Sequence, residues 1–353
     1  MGKKYRVLIE RDGFGGKSPK VEERIRDLEE SGHAKIIHPT DPIQSDEALA
    51  EKLREVSPHI VLAAGIYKYS REAMDQAPKL LAVVRHGIGV DNVNPNACKK
   101  RDIYLINTPK APSRAVAYQV LGNIYAMISS STETQELMVG GKWKQILRQD
   151  PRNVTIGLIG AGRIPTEFAK ITKGYEFREI KAYDTDLRAQ ARIEERGITG
   201  AKNMEEILTT CDIVSVHVSG EGNKYLIAAR EFEMMGNGTH FINTSRGDVV
   251  YTNALVRWLQ KNPDSKAAID VFEQEPLPID HPLRKTFAPG RVLLSPHTGS
   301  GTTIGYENMG LACLHATEAL IRGKGYIKPS EIKYMLKYQP EDMFNIVVDR
   351  KKP

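Results

Sequence analysis

Three segments of the chain each close an apolar run with one side chain able to do chemistry. Arg246 lies in Asn243-Thr-Ser-Arg246-Gly-Asp, Glu275 in Asp270-Val-Phe-Glu-Gln-Glu275-Pro, and His297 in Ser295-Pro-His297-Thr-Gly. A guanidinium can grip a carboxylate bidentately and polarise a neighbouring carbonyl. An imidazole titrates near neutrality, so it can give or take a hydroxyl proton. A carboxylate beside that imidazole orients it and favours its protonated form. The three types suit reduction of a 2-oxo acid or, with neutral His297 as proton acceptor, oxidation of the 2-hydroxy acid. Glu273 and Asp270 are alternative partners for His297 that spacing leaves open.

A hydride donor is signalled upstream. Gly157-Leu-Ile-Gly160-Ala-Gly162-Arg163-Ile164-Pro165 follows a strand pattern and opens a helical one. Gly160 makes the tight turn there, and Gly162 lets backbone approach a pyrophosphate at the helix N-terminus, beside the N–H groups of Arg163 and Ile164. The usual third glycine is replaced by Pro165, which a first helical turn tolerates. Asp184 ends the next strand pattern and suits the ribose hydroxyls, repelling a 2′-phosphate, so NAD is expected over NADP. Arg188, nearby, leaves that preference less strict. His86 and His217 read as structural or cofactor-adjacent, whereas His281 reads as structural.

The elements that must position these residues form two alternating series. Tyr5–Glu10, Ala34–His38, His59–Ala64, Leu80–Arg85 and Ile103–Ile106 read as strands, with helical spacing over Val21–Glu30 and Glu47–Val56. After a turn at Asn107-Thr108-Pro109, a long helix runs from about Ser113 to Ser130. The second series has strands at Val154–Ile159, Ile180–Tyr183, Asp212–Val218, His240–Thr244, Ala267–Phe272 and Val292–Leu294. Its helices are Thr166–Thr172, Met204–Thr209 and Asn253–Gln260, the last with Thr252 as N-cap. Such alternation predicts parallel sheets covered by helices. The helix Thr302–Arg322, with Gly323 as its C′ residue, has no strands of its own and is expected to return to the first unit. The fold class is therefore α/β, with two doubly wound parallel-sheet domains: a Rossmann domain over 109–298 and a flavodoxin-like substrate domain over 1–108, completed by about 299–353. In such sheets the strand carboxyl ends converge on one crevice, where Arg246, Glu275 and His297 would meet.

Composition narrows the function classes. A length of 353 residues exceeds what one core usually supports, about 250. No apolar run reaches the roughly 18 residues of a membrane span. The start, MGKKYRVLIE, enters a strand pattern without a cleavable apolar region, and Arg6 stands where myristoylation wants Ser or Thr. Cys98, Cys211 and Cys313 have neither metal-ligand nor disulfide spacing, so no metal and a cytoplasmic setting are expected. The net charge of +6 is scattered among acidic residues. It predicts no nucleic-acid partner and only a mild attraction for anionic substrates.

The blocks Arg85-His-Gly-Ile-Gly-Val-Asp-Asn-Val, Asn107-Thr-Pro, Gly157 to Pro165, Asn243 to Gly247, Asp270 to Pro276 and Pro296-His297 occur in the order seen in the D-isomer-specific 2-hydroxy acid dehydrogenases, which the chain resembles. The resemblance implies that Arg246 binds the substrate, that His297 is the acid/base and that Glu275 is its partner. It also implies that the backbone of Ile88, Gly89 and Val90 helps hold the carboxylate, with Thr244, Asp270 and Gly299 around the nicotinamide and its ribose. Tyr67, Lys68 and Ile88 would set which side chain the acid carries. A homodimer, built largely through the helix beginning near Ser113, is implied as well. The chain departs from the family pattern at Tyr118-Gln119, where Glu and His are common. The loop Gly65-Ile-Tyr-Lys-Tyr lacks the arginine of a phosphoglycerate site, and no sizeable regulatory domain is expected after residue 325. Glu275, rather than Gln, speaks against formate. The alternative to an NAD-dependent oxidoreductase is a corepressor-like protein that senses NAD(H) on the same fold; it can retain all three side chains.

Overall fold

The computed structural model describes residues 4–10, 14–39, 41, 43–65, 67–285, 287, 290–327 and 344–350. The chain divides into two compact units: unit 1 is Met1–Pro112 with Ser300–Pro353, and unit 2 is Ser113–Gly299.

Unit 1 holds β1 (Tyr5–Ile9), β2 (Ala34–Ile37), β3 (Ile60–Ala63), β4 (Ala82–Arg85) and β5 (Tyr104–Asn107). They are parallel in the order β2-β1-β3-β4-β5. Strands such as Ile60–Ala63 are buried along their whole length, which explains their unbroken apolar composition. One face packs on the helices Pro19–Glu30 and Thr303–Arg322 through Val21, Ile25, Leu314 and Leu320. The other packs on helices that supply Leu49, Leu53, Met74 and Cys98. Each such Leu, Ile or Val buried contributes about 1.5–3 kcal/mol.

Unit 2 holds β6 (Thr155–Ile159), β7 (Glu179–Tyr183), β8 (Thr199–Gly200), β9 (Ile213–Val216), β10 (His240–Asn243), β11 (Ala267–Ile269) and β12 (Val292–Leu294). All are parallel, in the order β12-β11-β10-β9-β6-β7-β8. The order reverses between β6 and β9, which is the switch point where doubly wound sheets receive ligands. Helices Ser113–Ile128, Arg163–Ile171 and Leu187–Glu194 cover one face. Helices Met204–Thr210, Ala229–Met234 and Thr252–Lys261 cover the other. The α/β class with two doubly wound sheets is as the sequence leads one to expect.

Two local expectations are corrected. Thr252 is the first helical residue and Tyr251 the N-cap; the Thr252 N–H donates to Glu273 Oε2 at 3.2 Å, so a distant carboxylate caps this helix. Gly323 caps its helix at φ −80, and the left-handed residues are Lys324 and Gly325. Near the C-terminal end of the described residues, β13 (Asn345–Val348) pairs antiparallel with β5, and Phe344 is buried in the core of unit 1. Tyr334 and Tyr338 lie outside the described residues.

Candidate active site

The trio stands on the ends of three adjacent strands. Arg246 follows β10, Glu275 follows β11 and His297 follows β12. His297 Nδ1 lies 2.8 Å from Glu275 Oε2, and Glu275 Oε1 accepts the Phe272 N–H at 2.9 Å. Both carboxylate oxygens are thereby fixed, and the imidazole nitrogen left for chemistry is Nε2. Burial pushes the Glu275 carboxyl up, but His297, the Phe272 N–H and the charge of Arg246 more than offset this and hold it below its ordinary range. The Arg246 guanidinium donates to the Ser245 carbonyl at 2.7 Å, and the Arg246 carbonyl accepts from Asn243 Nδ2 at 2.9 Å. Glu273 points elsewhere: it caps Thr252 and bonds the Tyr225 hydroxyl. Of the three possible partners for His297, geometry selects Glu275.

The turn bearing His297 is unusual. His297 is left-handed, at φ +53, which for a residue with a side chain costs about 1–3 kcal/mol. Buried Asp270 holds it there. Its carbonyl accepts the His297 N–H at 2.8 Å, Oδ1 accepts the Thr298 N–H at 2.9 Å, and Oδ2 accepts the Gly299 N–H at 2.9 Å. Ser295 Oγ donates to Asp270 Oδ1 at 2.5 Å. Sequence reasoning placed Asp270 and Gly299 beside a nicotinamide; it missed Ser295 and this clasp.

The dinucleotide signature lies on the switch point. Gly160 has φ +106, and a Cβ there would stand 2.7 Å from the His217 carbonyl oxygen. Only glycine fits. Gly162 is the N-cap of Arg163–Ile171 without a side-chain cap; a Cβ there would meet nothing within 4 Å, so the approach is open. Pro165 is buried in the first turn, where its missing N–H leaves no bond unmade. Asp184 Oδ2 accepts the Ala161 N–H at 2.7 Å and Oδ1 the Asp186 N–H at 2.8 Å, tying the end of β7 to the glycine turn. Arg188 is exposed.

Buried polar atoms test whether a dinucleotide fits. Both ring nitrogens of His217 and the Thr244 hydroxyl are buried with no partner among the described residues, at the ends of β9 and β10. Desolvation pushes His217 down to about 3, so its ring is neutral. Unmade bonds at such atoms are costly. Donors and acceptors of this kind, beside a glycine turn closed to any Cβ, fit a polar cofactor.

Unit 1 supplies a different feature. The successive N–H groups of Ile88, Gly89 and Val90 have no partner among the described residues, while the Ile88 carbonyl accepts Asn107 Nδ2 at 2.6 Å. Gly87, at φ +143, is locked to Thr108 through its N–H at 2.9 Å. Consecutive free N–H groups make an anion-binding concavity. The Tyr67 hydroxyl is engaged by the Ile43 carbonyl, and the Tyr67 carbonyl accepts Asn92 Nδ2 at 2.8 Å, so Tyr67 offers its ring. Sequence reasoning missed the buried carboxylate of Glu10, whose Oε2 accepts the Ala64 N–H at 3.1 Å and the Tyr69 hydroxyl at 2.7 Å. His86 packs between the rings of Phe14 and Tyr306.

A Rossmann unit whose strand ends carry an Arg, a His–Glu pair and a glycine turn defines a dinucleotide-dependent oxidoreductase. Residues 121–299 match the pattern of the D-isomer specific 2-hydroxyacid dehydrogenase, NAD binding domain. The chain is 32% identical to a glyoxylate reductase of Thermofilum pendens, over 88% of this chain and 92% of that one. It is 30% identical to a D-3-phosphoglycerate dehydrogenase of Haemophilus influenzae, over 80% and 68% of the two chains. In fold it is similar to a D-lactate dehydrogenase of Aquifex aeolicus crystallised with NAD and lactic acid, with a TM-score of 0.78, 22% identity and coverage of 98% and 100%. The chain belongs to the D-isomer specific 2-hydroxyacid dehydrogenase family. Its cofactor is NAD and its class of reaction is oxidation or reduction at the 2-position of a hydroxy or oxo acid.

Proposed function

We propose that the chain reduces a short 2-oxo acid to its D-2-hydroxy acid, and runs the reverse oxidation, with Arg246, Glu275 and His297 as its catalytic residues. The observation that carries this is the 2.8 Å contact of His297 Nδ1 with Glu275, made where Arg246 acts on the same carboxylate. The bound nicotinamide supplies or accepts the hydride. Arg246 binds the acid's carboxylate and polarises its carbonyl. As charge develops on the carbonyl oxygen, His297 Nε2 delivers its proton, and Glu275 orients the ring and balances the imidazolium. One 2-oxo acid, one NADH and one proton become one 2-hydroxy acid and one NAD.

Gly160, Gly162 and the N–H groups of Arg163 and Ile164 would hold the pyrophosphate, Asp184 the adenosine ribose, and His217, Thr244, Asp270 and Gly299 the nicotinamide side. In unit 1, the Ile88, Gly89 and Val90 N–H groups would receive a carboxylate, and the Tyr67 ring would face the acid's side chain. Glyoxylate is the first substrate to try, given the named activity of the Thermofilum relative. The absence of an arginine among the described residues of the Gly65–Tyr69 loop favours a small acid over a phosphorylated one.

We also infer a homodimer in the cytoplasm. Val139, Trp143 and Leu147 are 78%, 88% and 98% exposed, an apolar surface that a second copy would cover. The helix Ser113–Ile128 spends most of its apolar side chains inside unit 2, and we infer that a second copy would also meet the exposed apolar segment after it. The three cysteines are free and buried, as a reducing compartment allows. No helix among the described residues is long and apolar enough to cross a membrane.

The test follows NADH absorbance with glyoxylate, hydroxypyruvate, pyruvate, branched 2-oxo acids and phosphohydroxypyruvate. Turnover is expected with an unphosphorylated short acid. No turnover with any of them, despite measurable NADH binding, would replace this reading with an NAD(H)-sensing role. Sedimentation should give twice the chain mass, and a monomer would remove the dimer.

A further inference from the structure

The sequence pair Tyr118-Gln119 departs from the family pattern, and its second member reaches the catalytic region. Gln119, half-buried on the helix Ser113–Ile128, directs Nε2 to Ser295 Oγ at 3.5 Å. Ser295 Oγ in turn lies 2.5 Å from Asp270 Oδ1. A hydroxyl has one proton, and an ionised carboxylate can only accept, so Ser295 donates to Asp270 and accepts from Gln119. Asp270 is almost wholly buried, and its oxygens also receive the N–H groups of Thr298 and Gly299, with the Thr298 hydroxyl at 3.4 Å. These N–H groups flank left-handed His297 on its C-terminal side. Tyr118 itself is exposed and turned toward Arg114.

We infer that Ser295, backed by Gln119, is a positioning residue for His297: it fixes the Asp270 carboxylate, which pins the Thr298 and Gly299 amides and so holds the histidine in its left-handed turn. The inference rests on the reading of His297 as the acid/base. A buried carboxylate that loses a donor seeks another. Without the Ser295 hydroxyl, Asp270 is free to rotate away from the two amides. Without Gln119, the serine hydroxyl loses the donor that keeps its proton aimed at Asp270. The outcome is a His297 ring that samples positions in which Nε2 misses its target, and a displacement near 1 Å is enough to cost about 100-fold in rate.

The experiment compares Ser295→Ala, Ser295→Thr and Gln119→Leu with the unaltered chain. Amide hydrogen exchange of the segment 296–300 reports the clasp without any turnover. Rates of glyoxylate reduction and NADH titration report its use. Ser295→Ala should exchange about tenfold faster at Thr298 and Gly299 and lose about 10- to 100-fold in kcat. Ser295→Thr should restore both, and Gln119→Leu should move both in the same direction by less. Unchanged exchange in Ser295→Ala overturns the inference, as does faster exchange with unchanged kcat. Should the unaltered chain turn over none of the acids, the proposed function falls; the exchange comparison still decides whether Ser295 holds the turn.

Discussion

His297 combines a left-handed backbone, an exposed ring and a fixed carboxylate partner, so its contribution can be separated from that of its neighbours. Replacing it with Ala should lower glyoxylate reduction by about 10²–10⁴-fold. NADH affinity, measured by fluorescence titration, should stay close to that of the unaltered chain; a collapse would make His297 structural. Glu275→Gln tests the pairing through pH. The Glu275 carboxyl lies below its ordinary range, so its charge is present above that range and is lost only as pH falls through the lowered value. Removing the charge disfavours the protonated imidazole. The alkaline decline of reduction should therefore move to lower pH, and a limb that stays put would count against the pair. The trio's types were readable in the linear sequence because Arg, Glu and His each follow an apolar run. The choice among Glu275, Glu273 and Asp270 was not, since it depends on which way each side chain leaves one short loop. Structure gives all three distinct work: Glu275 meets His297, Glu273 caps a helix, and Asp270 pins a turn.

Most strands were legible because a parallel strand buried on both faces must be a run of apolar residues. What escaped were elements whose reason lies elsewhere in the chain. The two residues of β8 carry no periodicity, and β13 exists because β5 offers an open edge. The helix Ser131–Val139 has no buried residue to give it an apolar stripe. The short helices Arg71–Asp75 and Pro95–Lys100 are held by Ser70 and Asn94 caps rather than by a long amphipathic face. Gly247 is the clearest case of a residue whose need appears only between elements. A Cβ there would lie 1.9 Å from the Phe272 carbonyl carbon and 2.4 Å from the Glu273 nitrogen, both backbone atoms. The loop after β10, which carries Arg246, is thus pressed against the loop that carries Glu275. Gly247→Ala should destabilise unit 2 by about 1–3 kcal/mol as an overpacked contact. It should also lower kcat, because the Phe272 N–H that anchors Glu275 must move. Urea unfolding and steady-state rates measure the two effects. Stability and kcat both unaltered would mean that the loops are not in the contact seen.

Across the whole chain, the same construction that buries strands on both faces also buries histidines, whose charged form is thereby stripped of water. In unit 2, desolvation pushes His217 down to about 3 and His240 down to about 4, and in unit 1 it pushes His315 down to about 4. Their free counterparts in the unfolded chain titrate near 6.5. Between those values the unfolded state binds more protons than the folded one, so stability must fall as pH falls. The loss begins near pH 6.5, is complete for His240 and His315 near pH 4, and continues for His217 to about pH 3. Within its window each histidine adds at most about 1.4 kcal/mol per pH unit to the slope. The net charge of +6 adds self-repulsion in the same direction as carboxylates neutralise. His240 is the histidine to alter, because it lies on the strand β10 away from the proposed acid/base pair. Its Nδ1 accepts the Lys266 N–H at 3.3 Å, and a backbone hydrogen bond at Thr239 and the charge of Asp212 offset only part of the burial and of the Lys266 charge. A His240→Gln chain keeps an acceptor for that N–H and has nothing to protonate. Unfolding free energies at pH 7, 6, 5 and 4.5 should therefore fall less steeply in the variant, by up to about 1.4 kcal/mol per unit below pH 6. The two chains should run parallel above pH 7. Parallel curves over the whole range would show that His240 takes up its proton alike in the folded and unfolded chain, and the burial account of acid sensitivity would fail at that residue.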